Sequence, residues 1–129
     1  MSYAMHVVPR NLHANAISKF DEDVRTAFNA SVGIYPDDEA WKRACAPVSY
    51  AGLGIRSTHE FSDAAYVASV GSCLSLCQAI DASFKAEDNL TSTHIQAAID
   101  RVNDKLPACA HVKPSLEEPP SQKVLCAKL

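Results

Sequence analysis

Ser57-Thr-His-Glu60-Phe-Ser-Asp63-Ala64-Ala-Tyr66-Val-Ala-Ser69-Val-Gly-Ser72-Cys73-Leu-Ser-Leu-Cys77-Gln-Ala-Ile80 is the stretch that decides the fold. It opens as a capping box, a serine followed three residues later by glutamate, which starts a helix at about Thr58. Ala64 to Ile80 is then 17 residues without a charge. Tyr66, Val70, Cys73, Cys77 and Ile80 make one seam, and Phe61, Ala65, Ala68 and Ser72 make a neighbouring one. A helix that is apolar on two sides is a central helix, packed from both. The run is near membrane-spanning length, but Ser69, Gly71, Ser72, Ser75 and Gln78 interrupt it, so it reads as a buried helix to about Ser83 and not a span.

Outward from this helix the pattern stays helical. Residues 2–10 form a short helix ended by Pro9. From about His13 to Ser31, Ile17, Phe20, Val24, Ala27, Phe28 and Ser31 recur at steps of three and four, one helical face. Asp21, Glu22, Asp23 and Arg25 lie off that face and should be solvated, and Gly33 is the stop. Pro36 opens a short helix. Asp37, Asp38 and Glu39 sit in its first turn and Lys42 and Arg43 near its end, as the helix dipole favours. Pro47 closes it at about Ala46. Residues 47–56, with one proline and two glycines, are a loop with special backbone needs. After the polar break Glu87-Asp88-Asn89, a helix runs from about Ser92 to Leu106, with Thr93 and Gln96 as a second capping box. Ile95, Ala98, Ile99, Val102 and Leu106 form its apolar face. The expectation is an all-α fold, a small bundle of four to five helices over residues 1–106. Residues 107–129, with four prolines and no period, form a Pro-rich disordered tail.

Composition agrees with helices and limits function. The chain has 129 residues, one domain's worth, and twenty are alanine against four glycines. Only 36 residues are Val, Ile, Leu, Met, Phe, Tyr or Trp, a thin supply for a core. Twelve basic and 15 acidic residues give a net charge of −3, spread evenly over both halves. Neither half has the excess of Lys and Arg expected of a protein that binds nucleic acid by charge alone, which disfavours a free-standing DNA- or RNA-binding domain. Five cysteines, an odd number and not closely paired, do not suggest a secreted disulfide framework. No signal peptide is visible after Met1, so an intracellular location is expected over a secreted one.

No reactive constellation stands out. Cys73 and Cys77, four residues apart on one helix, could join Cys109 and His111 around zinc, but buried free cysteine explains the pair better. The five histidines, at positions 6, 13, 59, 94 and 111, fall in separate elements, and none is tied locally to a nucleophile. Neither a metal ion nor a cofactor is expected. Gly52-Leu-Gly54 carries only the first part of a dinucleotide fingerprint and follows no strand pattern. It does precede a helix N-terminus, which attracts anions, and Arg56 stands beside it.

At this loop the sequence resembles a known family. Trp41-Lys-Arg-Ala-Cys45-Ala-Pro47-Val-Ser-Tyr-Ala-Gly52-Leu-Gly54-Ile-Arg56-Ser57 is similar to a segment of the reverse transcriptases of non-LTR retrotransposons. There a tryptophan is followed by a Leu-Pro-Val-x-x-Gly-Gly-Leu-Gly-Leu-Arg-Ser run. Phe61-Ser-Asp-Ala-Ala-Tyr66-Val-Ala-Ser69 resembles the helix after it, Phe20-Asp21 with Val24-Arg25 its upstream segment, and Tyr3 to Arg10 the stretch that follows the palm. The likeness covers about residues 2–82. Ala46 stands where leucine is usual, and Ala51 stands where the family has the first of two paired glycines.

The resemblance implies the thumb and post-thumb region of an RNA-directed DNA polymerase, a helical element that grips the template–primer duplex. The Tyr-x-Asp-Asp motif of the palm is absent, as are the fingers and any endonuclease or ribonuclease H signature, so catalysis by this polypeptide alone is not expected. It reads as a fragment, with no catalytic residue. Arg10, Lys42, Arg43 and Arg56 are the expected nucleic-acid contacts, and Trp41, Pro47, Gly52 and Gly54 the structural loop. The rival expectation is a small helical protein-interaction module without a nucleic-acid role, self-associating or partner-binding through exposed apolar side chains at Phe28, Trp41 and Tyr50. Neither reading calls for a membrane.

Overall fold

The computed structural model of the protein describes residues 2–85, 92–108 and 111–112. Among the described residues there is no strand. The helices are α1 (Ser2–Val7), α2 (Ala14–Val32), α3 (Asp38–Cys45), α4 (Thr58–Ile80) and α5 (Thr93–Asn103). Single tighter turns at Arg10–Leu12 and Val48–Tyr50 link α1 to α2 and α3 to α4. The fold is all-α, as the periodicity predicts. The polar break at residues 87–89 and nearly all of the tail lie outside the described residues.

Local chemistry sets the helix ends. Pro9 stops α1 and begins the tight turn, whose last backbone bond runs from His13 N–H to the Arg10 carbonyl. Gly33 ends α2 in the left-handed conformation, φ 71°, which a residue without Cβ takes freely. Asp37 caps α3 by accepting from Ala40 N–H at 2.8 Å, and its helical carboxylates follow in the first turn. Ser57 caps α4 through Glu60 N–H. The α5 cap is Ser92, accepting from Ile95 N–H, and not the expected pair Thr93 and Gln96. The cap lies one residue earlier, as a serine cap without a box, because the serine is the last extended residue before the helix and position 95 is isoleucine.

The core lies between α4 and α5. Ala64, Val67 and Ala68 meet Ile95, Ala98, Ile99, Val102 and Leu106, with Tyr66 and Val70 packed at the edge. Burying each of the larger side chains is worth about 1.5–3 kcal/mol, and the alanines let the helices approach closely. Val112 also joins this core. Asn103 grips its backbone on both sides: Nδ2 donates to the Val112 carbonyl at 3.0 Å, and Oδ1 accepts from Val112 N–H at 2.6 Å. Val112, beyond the boundary expected at residue 106, therefore packs on this core.

α4 is central but is not covered along its whole length. α1, α2 and α5 all pack on it. The expected seam Tyr66, Val70, Cys73, Cys77 and Ile80 holds only as far as Val70, since Cys73 is exposed and Ile80 is 88% exposed. α4 has 23 residues and α5 only 11, so α5 cannot cover α4 along its whole length. By length and composition alone, Thr58–Ile80 could cross a membrane. The face read on α2 is covered unevenly, with Val24 and Phe28 half-buried. Ile17 is fully buried, whereas Phe20 is 38% exposed.

Candidate nucleic-acid interface

The segment from Trp41 to Ser57 folds as a tight cap on the end of α3. Leu53 N–H donates to the Ala44 carbonyl at 2.8 Å and Gly54 N–H to the Ala46 carbonyl at 2.9 Å, satisfying acceptors that the helix end leaves open. Tyr50 and Gly52 N–H both donate to the Pro47 carbonyl. Three backbone demands, at 51, 52 and 54, shape the loop. Ala51 is left-handed, φ 61°, the one non-glycine among the described residues with positive φ. A Cβ on Gly52 would stand 2.0 Å from the Ala46 carbonyl oxygen, so no side chain fits there. Gly54 is left-handed as well, φ 70°.

Trp41 anchors this unit to α2. Its ring lies 5.4 Å from that of Phe28, tilted by 57°, and the Arg25 guanidinium sits 5.5 Å over it. Arg25 also bonds Asp38 at 2.7 Å and the Pro36 carbonyl at 2.8 Å. Arg25, read as a solvated residue, is thus the tie between α2 and α3. Phe28 and Trp41 are half-buried against one another, so of the three rings expected to be exposed only Tyr50 is, at 80%.

The expected cations divide into two groups. Lys42 and Arg43 are exposed on the last turn of α3 and have no partner among the described residues. Arg56 is exposed too, its guanidinium 5.6 Å over the Phe61 ring. Arg10 is different. Its side chain is only 18% exposed, and its Nη1 donates to Asp63 at 3.1 Å. It belongs to the interior and is not set out for a ligand.

That interior holds residues the sequence reading passed over. Asp63, 3% exposed, also takes two bonds from Arg101 on α5, at 3.0 and 2.8 Å. One carboxylate thereby ties the Arg10 turn, α4 and α5 together. The bonds it donates to Asp63 hold Arg101 more firmly protonated than usual, against the effect of burial. Arg10 further contacts His59 Nε2. Burial first, and then the charges of Arg10 and Lys105, push the His59 pKa down. Asp21, expected to be solvated, reaches from α2 to the start of α4. It accepts from Thr58 N–H at 2.8 Å, His59 N–H at 3.0 Å and the Ser57 hydroxyl at 2.7 Å. Burial alone would raise its pKa, but the bonds from His59, Ser57 and Thr58 outweigh burial and lower it. The available signal was Asp63 itself, a carboxylate set directly before a charge-free run on a central helix. Such a position needs a cation from a neighbouring element.

Among the described residues no three His, Cys, Asp or Glu side chains gather to hold a metal ion. Cys45, Cys73 and Cys77 are free thiols, and Cys109 lies outside the described residues. Burial, followed by the charges of Glu60 and Asp21, raises the Cys45 pKa, the opposite of an activated thiolate. No family model, curated protein or solved structure matches this chain.

Proposed function

We propose that this chain is a thumb-like helical element of the reverse-transcriptase kind. It would contact the backbone of a template–primer duplex through Lys42, Arg43 and Arg56 and have no catalysis of its own. The observation that carries the reading is the backbone of the loop. At 51, 52 and 54, the positions where the resembling family has glycine, this chain has two left-handed residues and one site with no room for a Cβ. Even Ala51, the departure from the family's pattern, takes the conformation that glycine favours. The exposed, unpartnered Lys42 and Arg43 on the capped end of α3 supply the charge.

Fluorescence anisotropy with a labelled RNA–DNA duplex tests this. Binding should appear at low salt and weaken as salt rises. Replacing Lys42, Arg43 and Arg56 by glutamine should reduce the log–log salt slope by about 0.9 for each cation that meets a phosphate. Arg10→Gln should leave that slope unchanged, because Arg10 is spent on Asp63. No binding at low salt overturns the reading. A second reading, a protein partner on the same loop, draws on Val48, Tyr50 and Leu53, which are 73%, 80% and 57% exposed. Loss of partner capture or self-association on Tyr50→Ser, with duplex binding absent, would favour it.

A further inference from the structure

The N-terminal strap, α1 with the Arg10–Leu12 turn, lies along α4, and most of its polar attachment passes through Arg10. A second, exposed contact joins Asn11 to His94 at 3.4 Å. Arg10 holds two acceptors one helical turn apart on α4, the Asp63 carboxylate and His59 Nε2. An arginine has donors only, so His59 Nε2 must accept and the ring must be neutral for this contact to exist. A proton on Nε2 removes the acceptor and sets a cation directly against the guanidinium.

We propose that His59 is the sensor of a pH-operated latch, whose protonation releases residues 2–12 from α4. The groups facing His59 come from every element around it. Arg10 belongs to the strap and Lys105 follows α5; both oppose the proton. Asp21 on α2 and Asp63 on α4 itself favour it. Both carboxylates are already engaged, Asp21 by the N–H groups and hydroxyl at the α4 start and Asp63 by two arginines. Neither is free to receive an imidazolium. The burial and charge that lower the His59 pKa from 6.5 point the same way. A histidine that is less basic in the closed state binds more protons in the open state. Closure is therefore fully favoured above the ordinary value, 6.5, and weakens as pH falls below it towards the folded value. Arg101 keeps its grip on Asp63 throughout, so α4 and α5 stay together while the strap leaves.

Hydrogen–deuterium exchange of the full chain, corrected for intrinsic rates, reads the latch. Protection of residues 2–13 should fall several-fold between about pH 7.5 and about pH 5, while the α4–α5 core keeps its protection. His59→Gln keeps an acceptor and has no charge to gain, so its strap protection should be flat with pH. His94→Gln should retain the wild-type response. As a check that needs no variant, the His59 imidazole, followed by NMR, should titrate below 6.5 with the midpoint of strap release. A strap whose protection ignores pH, a His59→Gln chain that responds like wild type, or a His59 titrating at or above its ordinary value overturns the proposal. The latch is independent of duplex binding, and the exchange measurement needs no nucleic acid.

Discussion

At Ala51 an L-residue sits in the left-handed region, which costs about 1–2 kcal/mol relative to the right-handed one. Ala51→Gly should recover part of that, about 0.5–1.5 kcal/mol, seen as a higher denaturation midpoint with an unchanged slope. The neighbouring position behaves in the opposite way. Gly52→Ala drives a Cβ to 2.0 Å from the Ala46 oxygen, against backbone that caps α3 and has nowhere to move. It should lose at least about 2 kcal/mol. A gain for Gly52→Ala would mean that the loop is not closed on α3 as described. At Asp63 the carboxylate serves two arginines, which are 18% and 32% exposed. Asp63→Ala strands both, and should cost about 2–4 kcal/mol, below the full penalty of a wholly buried pair because solvent reaches both guanidinium groups. Thermal unfolding measures it directly.

Helix starts and stops are the scale at which Asp21 acts. Three donors at the first turn of α4 converge on this one carboxylate from another helix. Asp21→Ala should cost about 1–2 kcal/mol, as the loss of a helix cap does, and should fray the first turn of α4 before the rest. Its pKa is lowered by folding, so the charged form is the one the fold prefers. Its contribution is fully present above the unfolded value near 3.8 and fades as pH falls through the lower folded value. Acid titration of stability should show this fall in the wild type and lose it in Asp21→Asn. That window lies well below the range of the His59 latch, so the two effects separate along the pH axis.

Over the whole molecule, apolar cover is the scarce quantity. The chain has twenty alanines and 36 larger apolar residues, and among the described residues the core cluster lies between α4 and α5 and extends to Val112. Leu76, 63% exposed, and Ile80 are left in solvent. A core this thin uses every contact it has, including Val112 beyond the last helix. Val112→Ala should cost about 1 kcal/mol, and Asn103→Ala about as much by releasing the backbone around it, both visible by chemical denaturation. No change from either would return the end of the folded body to Leu106.

The sequence by itself determined the helices and most of their starts and stops, to within about three residues. Period, caps and breakers act over three or four residues, so Ser57, Asp37, Gly33, Pro9 and Pro47 carry their instructions locally. It also marked the Gly52 and Gly54 loop, because a glycine there answers a backbone demand within the same ten residues. Only the tertiary structure decided which face of each helix is covered and which charges turn inward. Asp21, Arg25 and Arg10 look like ordinary surface residues in a row of letters, and Asp63, set before a charge-free run, signals only that some cation is needed and not which one. Their partners stand 37, 13, 53 and 38 positions away, at Thr58, Asp38, Asp63 and Arg101. A charge becomes structural when a distant element delivers its counterpart, and no local period records that delivery. The same reason separates Arg10 from Lys42 and Arg43: all three are basic, but packing pairs the first with Asp63 and leaves the other two exposed.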